Sequence, residues 1–183
     1  MKKPFAAAAT AALAVGLGLG LGVSAPPPAT AAPYCGITWG SAAKVKNVES
    51  TAQITGVRTG RHACFDRMVV DVKYKVKGYD VRYGRVYTEG QGEYVPLKGT
   101  DLRIIIKART YTDSGRSTYD PPNWDNVANV NGYRTFRQVA YAGSFEGQTT
   151  FGLGVRARLP MRVFIMDGPG TGSRVVIDVA HRW

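Results

Sequence analysis

Histidine and cysteine are scarce in this chain of 183 residues, two of each, and its 13 acidic residues are outnumbered by 24 lysines and arginines. Each shortage excludes a class of chemistry. Zinc sites need about four nitrogen or sulfur ligands at close spacing, and His62 with Cys64 offers one H-x-C pair with no second pair to complete it. No HExxH, GxSxG, CxxC or P-loop sequence occurs, so the signatures of metalloproteases, serine hydrolases, thiol redox enzymes and nucleotide-phosphate cradles are missing. Nucleophilic catalysis needs a serine or cysteine held beside a base, and His62 and His181 are the only imidazoles. Beyond residue 23 no apolar run approaches the roughly 18 residues of a spanning helix. Segments with a helical period are few, and no βαβ alternation is visible. The reading is of a non-enzymatic protein with no cofactor and no metal.

What is present begins with an export signal. Lys2 and Lys3 make a positive start, residues 5–23 are an apolar run rich in Ala, Gly, Leu and Val, and Ala29-Thr30-Ala31 fits an A-x-A cleavage site. The pattern predicts a secretory signal peptide over 1–31 and a single domain over 32–183. A membrane anchor is the competing reading, but Pro26-Pro27-Pro28 follows the run where a basic stop-transfer cluster would stand. Nor does the Ala-Pro-Tyr before Cys35 make a lipobox. The expected product is secreted into the extracytoplasmic envelope and keeps no transmembrane segment after cleavage. Loss of Lys2 and Lys3 leaves 22 basic residues against 13 acidic ones, a balance of about +9, which favours polyanionic partners. Nucleic acid is the less attractive polyanion for an exported protein, and no RNP-like aromatic motif supports it.

In an oxidising compartment Cys35 and Cys64 form a disulfide by default. The bridge encloses 28 residues and contributes about 3–4 kcal/mol in the chain-entropy account. It would pin residues 36–40 near Phe65.

Period two dominates the rest of the chain. Arg67-Met-Val-Val-Asp-Val72 returns as Arg174-Val-Val-Ile-Asp-Val179. An Arg and an Asp bracketing three apolar residues predict two strands of one core whose charged ends reach solvent. Met68, Val70, Val72, Tyr74 and Val76 alternate with Val69, Asp71, Lys73, Lys75 and Lys77, so a half-buried strand is expected to run on to residue 76. Further strands are predicted over 79–83, 102–109, 136–141, 149–155, 161–166 and 174–180, with the turn-rich 167–173 joining the last two. Gly152 and Gly154 inside a strand pattern point to a bulge or a close backbone approach. These short strands predict an all-β antiparallel sandwich of about seven to ten strands, with at most one or two helical turns, one of them within 40–48. Closure into a barrel stays open on this pattern.

Residues 110–132 stand apart, because loops beyond about 12 to 15 residues in a compact domain are usually functional or disordered. Tyr111, Tyr119 and Trp124 supply aromatic faces, and Asp113, Asp120, Asn123, Asp125 and Asn126 supply short polar groups. Such a mixture can stack on a sugar ring and bond its hydroxyls. The plainer reading, which we favour, is a loop that covers a sheet edge and tucks Trp124 into the rim of the core. Its acids do not match the spacing of an EF-hand.

Arginines supply the remaining signal: Arg58, Arg61 and Arg67 around His62, Arg134 and Arg137 before Tyr141, and Arg156, Arg158 and Arg162 around Pro160. Arginine suits bidentate contact with carboxylate or phosphate, although strand-edge Lys73, Lys75 and Lys77 fit the commoner duty of preventing edge-to-edge association. Glu146, between Phe145 and Gly147, is the acid whose context most suits glycoside chemistry, while a turn or ion-pair role is the more frequent fate of such a residue.

The runs 57–72 (Val-Arg-Thr-Gly-Arg-His-Ala-Cys-Phe-Asp-Arg-Met-Val-Val-Asp-Val), 78–83, 133–150, 154–169 and 174–183 together resemble the AMIN-like domain of secreted bacterial proteins, from about Cys35 onward. That family is named for a more distant similarity to the AMIN domain of N-acetylmuramoyl-alanine amidases, a non-catalytic β-sandwich implicated in binding or localising to peptidoglycan. The resemblance implies a wall-binding module whose partner is peptidoglycan or an associated anionic wall polymer. It does not imply amidase activity, since no zinc hydrolase sequence accompanies it. Arg58, Arg61, Arg134, Arg137 and Glu146 are the expected charged contacts, with Tyr141 and Trp124 as stacking surfaces. Two other readings stay open: a module that binds an envelope protein, and a glycan-acting hydrolase using Glu146.

Overall fold

The computed structural model describes residues 33–183, so the predicted signal peptide over 1–31 lies outside the described residues. A 3-10 turn at Tyr34–Gly36 precedes β1 (Lys44–Lys46), β2 (Gln53–Arg61), β3 (Phe65–Lys73), β4 (Tyr79–Tyr83), β5 (Thr100–Ile106), β6 (Phe136–Phe145), β7 (Gln148–Val155), β8 (Met161–Asp167) and β9 (Ser173–Ala180). They make two antiparallel sheets, one ordered β1-β4-β5-β7-β6 and the other β2-β3-β9-β8. The predicted sandwich is borne out, and the two sheets do not join into a barrel.

Alternation puts every second residue into one core. Met68, Val70 and Val72 of β3 and Val175, Ile177 and Val179 of β9 share it with Leu102, Ile104 and Ile106 of β5 and Phe151 and Leu153 of β7, and none of these is more than 4% exposed. At roughly 1.5–3 kcal/mol for each fully buried aliphatic or aromatic side chain, this shared layer is the main favourable term in folding. The predicted disulfide Cys35–Cys64 is present, with Cα atoms 6.4 Å apart. It ties the N-terminal arm down as expected: Trp39 packs on Phe65 at 5.9 Å between ring centroids, and Gly40 bridges to Met161 of β8.

The echoed strands are neighbours. β3 and β9 pair with Arg67 opposite Asp178 and Asp71 opposite Arg174, so the repeated spacing turns each Arg toward the other copy's Asp.

Three expectations need correction. Asp178 does not reach solvent; it is 0% exposed, because arginines from both flanking strands close over it. The strand through 68–76 ends at Lys73, since Tyr74 takes φ 68°, a left-handed conformation that turns the chain out of the sheet. Tyr74 is consequently exposed, while Val76 returns to the core with its N–H donating to Ser173 Oγ. Residues 40–48 hold no helical turn: Lys44–Lys46 is an edge strand paired to β4.

In the five-stranded sheet the outer side of β7 is covered by the chain between β4 and β5. A Cβ at Gly152 would lie 2.9 Å from a Leu97 methyl, and one at Gly154 would lie 2.4 Å from the Lys98 carbonyl oxygen. Gly154 therefore allows close backbone approach, and Gly152 makes room for the Leu97 side chain. Residues 110–132 follow the plainer reading. The β6 edge is met by this loop, with Tyr141 N–H donating to the Trp124 carbonyl and Val127 N–H to that of Val139. Trp124 sits on the rim, half exposed, with its ring edge-on to Tyr141 at 4.7 Å.

Candidate functional site

The outward residues of the four-stranded sheet build a lattice of guanidinium groups. Period two places Arg58 on β2, Arg67 and Asp71 on β3, Arg174 and Asp178 on β9 and Arg162 on β8 on one face, in registers that set each Asp between two Args. Asp71 accepts from Arg58 Nε at 2.7 Å and Arg174 Nε at 3.2 Å. Asp178 accepts from Arg67 Nε at 2.6 Å, Arg67 Nη2 at 2.9 Å and Arg162 Nε at 2.7 Å. Four arginines against two aspartates leave a surplus of two positive charges. Exposed Lys73 adds a third.

Aromatic faces back the lattice. Arg162 lies over Trp39, Phe65 and Phe164 at 5.6, 5.3 and 5.2 Å from their centroids, and Arg67 lies over Phe65 at 5.1 Å. Stacking of this kind fixes the guanidinium planes while leaving their rims free to donate. Hydrogen bonding to Asp71 pushes the Arg58 pKa above its ordinary value, and Asp178 does the same for Arg67. Both side chains therefore stay cationic wherever the fold persists.

Two shallow grooves run across this face. One, of about 570 Å³, lies between Arg58, Asp71, Lys73, Arg174 and the Pro169–Ser173 turn. The other, of about 280 Å³, has Val69 and Val176 as its floor and Arg58, Arg67, Arg174 and His62 as walls. Arg58 and Arg174 belong to both, so the grooves adjoin. His62 also borders a third cavity of about 290 Å³, which adds Arg61, Asp66, Arg134 and His181. Adjoining, positively lined grooves can hold an anionic chain through salt-sensitive contacts.

The expected contact residues do not all come together. Arg58 is on the lattice, and Arg61 and Arg134 meet at the third cavity. Arg137 is turned back on its own segment, its guanidinium donating to the carbonyls of Tyr133, Arg134 and Phe136. Tyr141 is 7% exposed and boxed in by Tyr119, Trp124 and Phe151, which corrects its reading as a stacking surface: no ring face is open. Trp124 keeps an open face but lies on the β6 edge of the other sheet. Glu146 is exposed at the two-residue turn between β6 and β7, with φ 47° followed by φ 83° at Gly147, the positive pair that a type I′ hairpin requires. It forms no ion pair among the described residues and stands apart from the arginine lattice.

Asp71, Arg174 and Asp178 of the lattice, and Asp66 at the third cavity, were not among the contact residues expected from sequence. The Arg-x3-Asp echo held the signal for three of them, once its two copies are set antiparallel. Nothing in sequence marks Asp66, whose partners Thr135, Phe136 and His181 are 69 to 115 residues away. No cluster of three His, Cys, Asp or Glu side chains suited to a metal ion occurs among the described residues.

Set beside known proteins, the chain has a clear place. The family model of the AMIN-like domain matches residues 52–181, and the chain belongs to that family. No curated protein and no solved structure matches it significantly.

Proposed function

We propose that this AMIN-like domain is an extracytoplasmic binding module that docks an anionic polymer of the bacterial wall, a glycan bearing carboxylates or phosphates, along the outer face of the four-stranded sheet. The observation that carries this reading is the unequal lattice of four arginines on two aspartates, two of those arginines lying over aromatic rings, beside two adjoining grooves. On the opposite sheet the chain between β4 and β5 lies across the outer side of β7. Export through the signal over 1–31 would bring the module to such a polymer, and the disulfide suits that compartment.

The test is sedimentation of the oxidised protein with purified wall sacculi, intact and stripped of covalently attached anionic polymers, at low and near-physiological salt. Arg58→Gln combined with Lys73→Gln removes two exposed positive walls of the larger groove and leaves the Arg174–Asp71 pair standing. Retention on intact sacculi should fall about tenfold, and the salt dependence should flatten. Retention unchanged by both substitutions would move the binding surface elsewhere. Equal retention on stripped material would assign recognition to peptidoglycan itself.

A further inference from the structure

At one end of the sandwich, where β2, β3 and β9 of one sheet approach the segment leading into β6 of the other, lies the cavity of about 290 Å³ introduced above. We propose that it is a discrete oxyanion site, taking a single carboxylate or phosphate group between Arg61 and Arg134 with the His181 ring as its third polar wall.

Three observations support this assignment. Both arginines are exposed, both line the cavity, and neither forms an ion pair among the described residues, in contrast to the lattice arginines on the sheet face. The acid at the back of the cavity is already spoken for. Asp66 is 0% exposed, and its Oδ2 accepts the N–H groups of Thr135 at 2.6 Å and Phe136 at 3.2 Å while Oδ1 faces His181 Nε2 at 3.2 Å. Its oxygens are thus occupied by backbone and imidazole, so it pairs with neither arginine, and the two guanidinium groups outnumber its single negative charge. Finally, His181 is 8% exposed, and its Nδ1 is a buried polar atom without a hydrogen-bond partner. A buried polar nitrogen left without a partner is costly to the fold.

Asp66 sets the chemistry of that nitrogen. With Nε2–H directed at the carboxylate, Nδ1 is the ring's unused polar atom. The backbone holds the ring in place: His181 N–H donates to the Cys64 carbonyl, and the His181 carbonyl accepts from Arg156. The disulfide at Cys64 therefore anchors one wall of the site. This inference does not rest on polymer docking along the sheet face, which uses other arginines.

The experiment is a titration of the oxidised, isotope-labelled protein with inorganic phosphate, and separately with D-lactate, at near-physiological chloride, followed by amide spectra and the His181 ring nitrogens. Saturable shifts at Arg61, Gly132, Arg134 and His181, with a moved Nδ1 resonance, are expected for at least one anion. Which of the two saturates at lower concentration tells a phosphate source from a carboxylate one. Arg61→Gln with Arg134→Gln should weaken binding at least tenfold while the melting curve stays in place, and Arg58→Gln with Lys73→Gln should leave it unchanged. Shifts that never saturate, that scatter over the surface, or that survive in the Arg61→Gln, Arg134→Gln protein would overturn the site. Failure here with wall binding retained would leave the sheet-face reading intact.

Discussion

The two copies of the Arg-x3-Asp pattern look equivalent in sequence, and their aspartates should differ severalfold in what they contribute to stability. Asp178 is 0% exposed and accepts three charge-assisted bonds from Arg67 and Arg162, whose side chains are 25% and 33% exposed. Asp178→Asn keeps the shape but points an amide N–H at a guanidinium and leaves two part-buried arginines without their counter-charge. Breaking a buried pair by removing one partner costs about 3–5 kcal/mol. Asp71 is 31% exposed, and one of its partners, Arg58, is 54% exposed, so solvent replaces much of what Asp71→Asn removes, and the loss should be about 1 kcal/mol or less. Urea unfolding of the oxidised proteins measures both. With a slope of about 2 kcal/mol per molar, Asp178→Asn should lower the midpoint by roughly 2 M and Asp71→Asn by under about 0.5 M. Replacing Arg67, Arg162 and Asp178 together by Met, Met and Leu should recover most of the loss, because the cost lies in the orphaned charges rather than in the pair's net worth. Equal losses at the two aspartates, or a loss below about 1 kcal/mol at Asp178, would refute the claim that burial separates them.

Two further perturbations probe the frame around the site. Gly154→Ala places a methyl 2.4 Å from the Lys98 carbonyl oxygen, and the clash with backbone should cost about 2–3 kcal/mol; a variant melting with the parent would mean that the chain between β4 and β5 is not held against β7. Burial, with Tyr141 adding to it, raises the Tyr119 pKa from 10.0 to about 12. The unfolded chain then loses this proton first as pH rises, so stability falls from about pH 10 and levels off near pH 12. That difference corresponds to at most about 2.7 kcal/mol, and partial exposure of the ring reduces it to roughly 1–2 kcal/mol. Tyr119→Phe should flatten the alkaline limb of a pH-stability curve, and an unchanged limb would remove Tyr119 as its source.

Alternation made most of the fold legible, because nearly every strand buries one face and a period of two admits no other reading. It failed where backbone conformation departed from side-chain pattern. Tyr74 continues the apolar alternation of β3 yet takes φ 68°, and tyrosine carries none of the turn chemistry that Gly, Asn or Asp would have advertised. Glu146 was legible as a turn residue since Gly147 follows it, and the positive φ at both positions agrees. At residues 40–48 a three-residue edge strand is too short for any periodic signal to establish.

The surface was harder to read than the fold, for a reason that lies in what an arginine signifies. Composition reports a positive excess but not which guanidinium groups are matched inside the molecule. Pairing depends on strand register: Arg67 meets Asp178 across 111 residues and Arg174 meets Asp71 across 103, and only the antiparallel setting of β3 on β9 makes those encounters. Arg137 shows the opposite outcome, its donors satisfied by carbonyls within four residues of it. What remains for a partner is whatever register and local bonding leave over. On the sheet face that remainder is a lattice with more donors than acceptors, and at the end of the sandwich it is Arg61 and Arg134 beside an acid whose oxygens are already occupied. Charge that the fold has not consumed internally is the charge available for recognition, so the residues to test are those without an internal counter-ion rather than those most crowded in sequence.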